Sequence, residues 1–186
     1  MPDRAEVLLG PCVALWIDSY SSFRMISNSL ANTRIEVLTG SAVVAAGEMS
    51  METKLNVLLK TAVALVSRKG AYRFDVEPPQ VKVLVGRTMV QGAATHGISV
   101  AAGQLLPLDG QAHSRKFDAR QPDPLEEWSD DRVAYLAQLQ GKQTKNAQKT
   151  TLSPPPPGIT YTKDRPPVFS QSIPDHSPSA CAVAVR

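Results

Sequence analysis

Up to about Leu108, apolar and polar residues alternate with a period of two, the signature of strands that bury one face. Short strands are predicted at Ala5–Leu9, Val13–Ile17, Phe23–Ile26, Arg34–Leu38, Ala42–Ala46 and Leu55–Leu59. More follow at Val63–Val66, Tyr72–Val76, Val81–Val85, Thr88–Gln91 and Ile98–Ala101. Turn signals bound them: Gly10-Pro11, Asp18-Ser19, Thr39-Gly40, Lys69-Gly70, Pro78-Pro79, Gly86, Gly97, Gly103 and Asp109-Gly110. Short strands with turns this frequent predict an all-β fold of repeated antiparallel hairpins, arranged as a sandwich, a roll or a short solenoid.

A repeat lies beneath the pattern. Glu6-Val7-Leu8-Leu9-Gly10 and Glu36-Val37-Leu38-Thr39-Gly40 share E-V-L-x-G, and Val81-Lys82-Val83-Leu84-Val85-Gly86 has the same shape. Ile98–Gly103 follows it more loosely, and Leu55–Lys60 puts Lys60 where the glycine would stand. The unit reads as a strand, a glycine at a hairpin turn and a return strand, because a tight reversal favours a residue free to take positive φ. No such hairpin buries its apolar face alone, so stacking several of them would make the core.

The period changes at Pro122. Asp123 as N-cap, Pro124 at the first helical position and Glu126-Glu127 in the first turn mark a helix start. Leu125, Trp128, Val133, Leu136 and Leu139 give an approximate apolar stripe, with Trp128 the expected anchor of a closing helix. After Gly141 there is no periodicity, and Pro154-Pro155-Pro156-Pro157 favours polyproline II. The expected organisation is a β domain over 1–121, a closing helix over 122–140 and a disordered Pro-rich tail over 141–186.

Charge splits at the same boundary. Residues 1–140 carry 14 Lys+Arg against 15 Asp+Glu, and residues 141–186 carry 6 against 2, so the net +3 belongs to the tail. A near-neutral folded part excludes a basic nucleic-acid-binding domain. No stretch approaches the roughly 20 apolar residues that cross a bilayer. Cys12 and Cys181 are too few and too far apart for a disulfide framework, so Cys12 is expected as a small buried hydrophobe and Cys181 as a free thiol.

The tests for enzyme chemistry come back empty. His96, His113 and His176 sit in or beside predicted loops with no second ligand at metal spacing. Ser21-Ser22 lacks a nucleophile-elbow context, and Gly92–Gly97 lacks the lysine and following helix of a phosphate loop. Asp118, Asp123, Glu126, Glu127, Asp130 and Asp131 are explained as helix-dipole complement and solvated surface, not as a cation site. Arg73 and Asp75, sharing one strand face, read as solvated or cross-strand charge partners. Trp16, Tyr20 and Phe23 are expected mostly in the core. The sequence therefore assigns no catalytic, cofactor-binding or metal residue.

Several segments carry a family likeness: Arg4–Leu9, Ser21–Met25, Asn32–Ser41, Arg68–Asp75 with its K-G-x-Y-R-F-D, Lys116-Phe117-Asp118, and Leu125–Leu136 with its W-x-x-x-R-x-x-Y-L. In these the chain resembles the FecR-type domain proteins, exported β-domain proteins of bacteria, particularly acidobacterial ones. The likeness covers about residues 4–140. It implies a non-enzymatic module making protein–protein contacts or relaying a signal in the cell envelope, with a periplasmic or extracellular location. Siderophore-responsive members regulate a partner sigma factor through a cytoplasmic segment and a transmembrane helix. Neither stands in this sequence, so only the domain-type role carries over. Members also begin with an export signal and further strands, whereas this chain begins at Met1-Pro2-Asp3, which reads as an N-terminal truncation. The alternative is a structural, envelope-associated scaffold; a small-ligand or enzymatic domain ranks below both.

Overall fold

The structure is a computed structural model that describes residues 3–10, 12–29, 31–49, 53–92, 95–110 and 113–150. Its strands follow the predicted segments. β1 (Ala5–Gly10) and β2 (Val13–Ile17) form a hairpin in one sheet, and β3 (Ser22–Ser29) and β4 (Asn32–Thr39) form a hairpin in a second. β5 (Ser41–Ala46) returns to the first sheet, while β6 (Lys54–Leu59) and β7 (Ala62–Val66) return to the second. β8 (Gly70–Val76) and β9 (Pro79–Val85) then add to the first, β10 (Arg87–Gly92) and β11 (Thr95–Ala101) to the second. β12 (Gln104–Pro107) and the short β13 (Arg115–Lys116) finish the first.

The chain thus advances in the same direction along both sheets. The first, inner sheet is ordered β1-β2-β5-β8-β9-β12-β13, and the second, outer sheet is ordered β3-β4-β6-β7-β10-β11. Pairing is antiparallel except between β4 and β6. That exception follows from β5: one strand is spent in the other sheet, so the chain re-enters the outer sheet in the direction it left. The fold is an all-β sandwich of hairpins dealt alternately to its two sheets.

Three of the repeat glycines do a different job from the one expected. Gly40 joins β4 to β5, Gly86 joins β9 to β10 and Gly103 joins β11 to β12, so each stands where the chain leaves one sheet for the other. Their φ values are +73°, +89° and +76°. A strand that turns out of its sheet within one or two residues needs this left-handed backbone, which costs a residue with a Cβ. The repeat's other two members do stand at hairpins as expected: Gly10 ends β1 beside Val13 of β2, and Lys60, with φ 53°, begins the turn between β6 and β7. Tyr72 braces two of the corners: its hydroxyl lies 3.1 Å from the carbonyl oxygens of both Arg68 and Arg87, which share its single proton. Burial raises the Tyr72 phenol above its ordinary pKa, so it remains a donor.

Burial separates the sheets. β2, β5 and β8 are buried along almost their whole length, whereas β4, β6 and β10 alternate. Between the sheets, Leu15, Ile35, Val44, Val57, Tyr72 and Phe74 belong to the main core. The other face of the inner sheet is covered by α1 (Pro124–Thr150), whose Leu125 and Val133 pack with Ala14, Trp16, Val43, Ala45, Ala71 and Leu84. Trp128 and Leu136 pack against the same cluster, as the helical stripe predicted.

Two expectations change. The helix does not stop near Gly141 but runs to Thr150, since the Lys and Gln residues that make up more than half of 142–150 are good helix formers and need no apolar stripe. The remainder of the predicted tail, 151–186, lies outside the described residues. Cys12 is not a buried thiol: it is partly exposed beside the β1–β2 turn and is disulfide-bonded. Cys181, the only other cysteine in the chain, lies outside the described residues.

A Cβ on Gly103 would meet nothing within 4 Å, but one on Gly86 would lie 2.6 Å from the Lys69 carbonyl oxygen. Gly103→Ala should therefore cost only the backbone strain, about 1 kcal/mol. Gly86→Ala should cost clearly more, because the β7–β8 corner has to move. Paired urea-unfolding curves check this; equal losses would mean that the corners are not packed against each other.

Candidate functional site

The polar group of greatest consequence is buried. On β8, Tyr72 and Phe74 point into the main core, which sends Arg73 and Asp75 to the face beneath α1. Arg73 is 8% exposed and Asp75 4%, so of the expected solvated or cross-strand charge partners neither is solvated, and they pair along one strand. Arg73 Nε donates to Asp75 Oδ1 at 2.8 Å. Its Nη1 donates to Asp123 Oδ2, and to Glu126 Oε1 at 3.3 Å. Asp75 also accepts from the Ser41 hydroxyl at 2.7 Å and from Gln80 Nε2 at 2.9 Å. Lys82 Nζ stands 3.9 Å from Glu126.

This cluster holds down the start of the helix. Asp123 caps α1 as predicted, its Oδ1 accepting the N–H groups of Leu125 and Glu126 at 3.0 Å each. Its other oxygen faces Arg73, so one side chain both caps the helix and docks it. Glu126 is buried and Asp123 half-buried, whereas Asp118, Glu127 and Asp131 are exposed as expected of the acidic run. Burial works against the charged form of Asp123, but Arg73 and the cap N–H groups outweigh it and hold the carboxyl below its ordinary pKa. Burial likewise opposes the Arg73 charge, and Asp75 and Asp123 overcome it, so the guanidinium stays protonated.

A second polar contact ties the helix to β1 and β2. Arg132 Nε donates to Glu6 Oε2 at 2.5 Å, and the fully buried Trp16 donates its indole N–H to the same oxygen at 3.2 Å. Arg132, opposed by the desolvation of Glu6, holds that carboxyl below its ordinary pKa. Arg4 joins in: its guanidinium lies 5.6 Å from the Trp128 ring centre and its Nε bonds Asp18 at 3.0 Å. Every acid and base in these clusters has a partner within the fold, so their chemistry is that of a clasp.

The other sequence candidates do not converge. Ser21 Oγ accepts the Ser41 N–H at 2.9 Å and serves a chain corner, and Ser22 pairs with Thr39 at 2.7 Å. His113 is exposed, His96 lies within β11, and His176 is outside the described residues. Among the described residues, no group of three or more His, Cys, Asp or Glu is arranged to hold a metal ion. No described helix is long and apolar enough to cross a membrane. Of the aromatics, Trp16 is buried and Phe23 packs on the core, but Tyr20 is fully exposed at a corner with φ 58°.

What remains accessible is the solvent face of the outer sheet. Leu58 of β6, Val63 and Leu65 of β7 and Met89 of β10 point away from the core, and β register makes them neighbours: Leu58 opposes Val63, and Leu65 opposes Met89. Leu58, Val63 and Leu65 are half-buried and Met89 is 38% exposed. A solvated sheet face ordinarily presents polar side chains.

Two solved structures share this architecture. Both are crystal structures of a proposed anti-sigma factor from Parabacteroides distasonis. One, at 2.50 Å resolution, has a TM-score of 0.51 and 15% identity over 63% of this chain and 57% of that one. The other, at 1.65 Å, has a TM-score of 0.53 and 15% identity over 75% of this chain and 61% of that one. The chain thus spans about three fifths of the length of these neighbours. At this identity the likeness is one of fold. No protein-family model and no curated protein matches the sequence.

The clasp sets two expectations. Arg73→Met would leave Asp75, Asp123 and Glu126 facing one another in a buried site, at a cost of about 3–5 kcal/mol by thermal or urea unfolding. Because Glu6 and Asp123 titrate below their ordinary values of 4.5 and 3.8, their contribution is complete above those values. It is lost as the pH falls through the lower folded-state values. Tryptophan fluorescence should report loosening of the helix in that acid range, and Asp123→Asn should reduce the dependence. A pH-independent signal down to pH 2 would refute the assignment.

Proposed function

We propose that this chain is a non-enzymatic β-domain of the FecR type that makes protein–protein contacts, as part of a signal relay, in the bacterial cell envelope. The observation that carries this reading is an apolar sheet face with no described element over it, on a fold shared with proposed anti-sigma factors. The K-G-x-Y-R-F-D segment adds support: Tyr72 braces the corners and Arg73 clasps the helix, so the most specific part of the family likeness coincides with what builds this fold. Fold alone does not carry function, and the partner has to be sought at the accessible surface.

An exported location is supported by the Cys12 disulfide, since such bonds persist in oxidising compartments. A scaffold role is the second reading, favoured by the edge strands β1 and β3 at one end of the sandwich, where Leu8, Met25 and Ile26 are exposed.

Two measurements test the proposal. Chain produced in the periplasm should contain no alkylatable thiol, while chain produced in a reducing cytoplasm should contain both and unfold at lower denaturant. Cross-linked capture of the full chain from envelope extract should yield one protein near stoichiometry. Broad association with envelope polymer would favour the scaffold, and capture of neither would defeat both readings.

A further inference from the structure

We infer that the solvent face of the outer sheet receives an amphipathic helix from a partner protein, one whose first turns are acidic. This rests on the protein-contact reading above and specifies its surface and chemistry. The argument starts from β register. Two rows of outward residues cross the sheet: Gln91, Val63, Leu58, Glu36 and Arg24 in one, and Ser99, Met89, Leu65, Asn56 and Arg34 in the next. Their centres, on β6, β7 and β10, are the apolar strip.

Cations border the strip at one end. Lys54 lies on β6 two residues before Asn56, and Arg87 on β10 two residues before Met89, so both extend past the strip at the same end. Arg34 stands beside Asn56. Arg34, Lys54 and Arg87 are all exposed, and none forms an ion pair with another described residue. On the same face only Arg24 and Glu36 neutralise each other, at 2.5 Å. Among these positions the face combines an apolar strip with an excess of three positive charges (Arg24, Arg34, Lys54 and Arg87 against Glu36).

The same molecule shows what fits such a surface. On the inner sheet, Arg73 and Lys82 stand beside Ala71 and Leu84, and α1 lies across them with Leu125 and Val133 on the apolar residues and Asp123 and Glu126 on the cations. The outer sheet offers matching chemistry with no described element over it. Charge complementarity selects an acidic helix over a basic one, and the apolar strip rewards one with a hydrophobic stripe.

The test titrates the full, isotope-labelled chain with two synthetic helices that share a leucine stripe, one with Glu in its first two turns and one with Lys there. The acidic helix should shift amide resonances of β6, β7 and β10. The double variant Lys54→Glu/Arg87→Glu should weaken its binding at least about tenfold while keeping the parent's unfolding midpoint. Leu65→Ser should weaken it independently of salt, and Glu127→Lys on the exposed side of α1 should leave it unchanged. Equal affinity for the two helices, or shifts confined to the inner sheet or α1, would overturn the inference. So would tighter binding to phosphatidylglycerol vesicles than to the acidic helix, or a self-association that protects the same amides. If a captured partner instead cross-links elsewhere on the chain, this docking face fails while the protein-contact reading stands.

Discussion

A guanidinium cannot leave water without partners, and Arg73 has left it almost entirely. The carboxylates that answer it come from its own strand and from a helix fifty residues further on. This single requirement fixes where α1 begins, which face of the inner sheet it covers and how it is rotated. Asp123 must cap the helix with one oxygen and meet Arg73 with the other. The geometry leaves Leu125 and Val133 over Ala71, Leu84 and Trp16. Hydrophobic burial supplies the driving force for that layer, and the ion cluster specifies which of many apolar docking angles is used.

β8 carries the whole design in seven residues. Tyr72 and Phe74 fill the space between the sheets, Arg73 and Asp75 fill the space under the helix, and the Tyr72 hydroxyl reaches the corners where the chain enters from β7 and leaves for β10. Alternation along one strand thus links three layers. It also explains why Gly70 and Gly86 tolerate no side chain: a Cβ on Gly70 would lie 2.5 Å from that hydroxyl, and one on Gly86 3.1 Å from it.

Much of the fold was legible from pattern. Strand positions, the helix start at Asp123-Pro124 and the Trp128 anchor follow from periods of 2 and 3.6 and from cap chemistry. The layer order was written in the chain but misread as uniform alternation: Val13–Ile17 and Ala42–Ala46 are continuous apolar runs, as strands covered on both faces must be, whereas Thr33–Leu38 alternates. The corner glycines were misread because a strand ending in Gly looks the same whether the next strand pairs with it or crosses to the other sheet. Arg73 and Asp75 were misread because alternation reports two faces but not what covers the second. Only the acidic start of a distant helix answers that, and its pairing with one arginine is a tertiary fact. The apolar strip escaped notice for the reverse reason: Leu58, Val63 and Leu65 look like core residues in any single strand, and only register turns them outward together.

The two faces of the sandwich therefore pose one physical problem and solve it differently. Each outer surface combines apolar side chains with cations, which water solvates poorly as a set. On the inner sheet the chain supplies its own acidic amphipathic helix, and the cost of burying Arg73 is offset by fixed carboxylates and a cap. On the outer sheet the cations reach solvent along flexible stems, so no internal partner is required for stability. The exposed Met89 and half-buried Leu65 gain nothing from that arrangement in the isolated chain. A surface whose charges are satisfied by water, and whose apolar centre is not, has free energy to release on association. The inner sheet shows the form of helix that would release it.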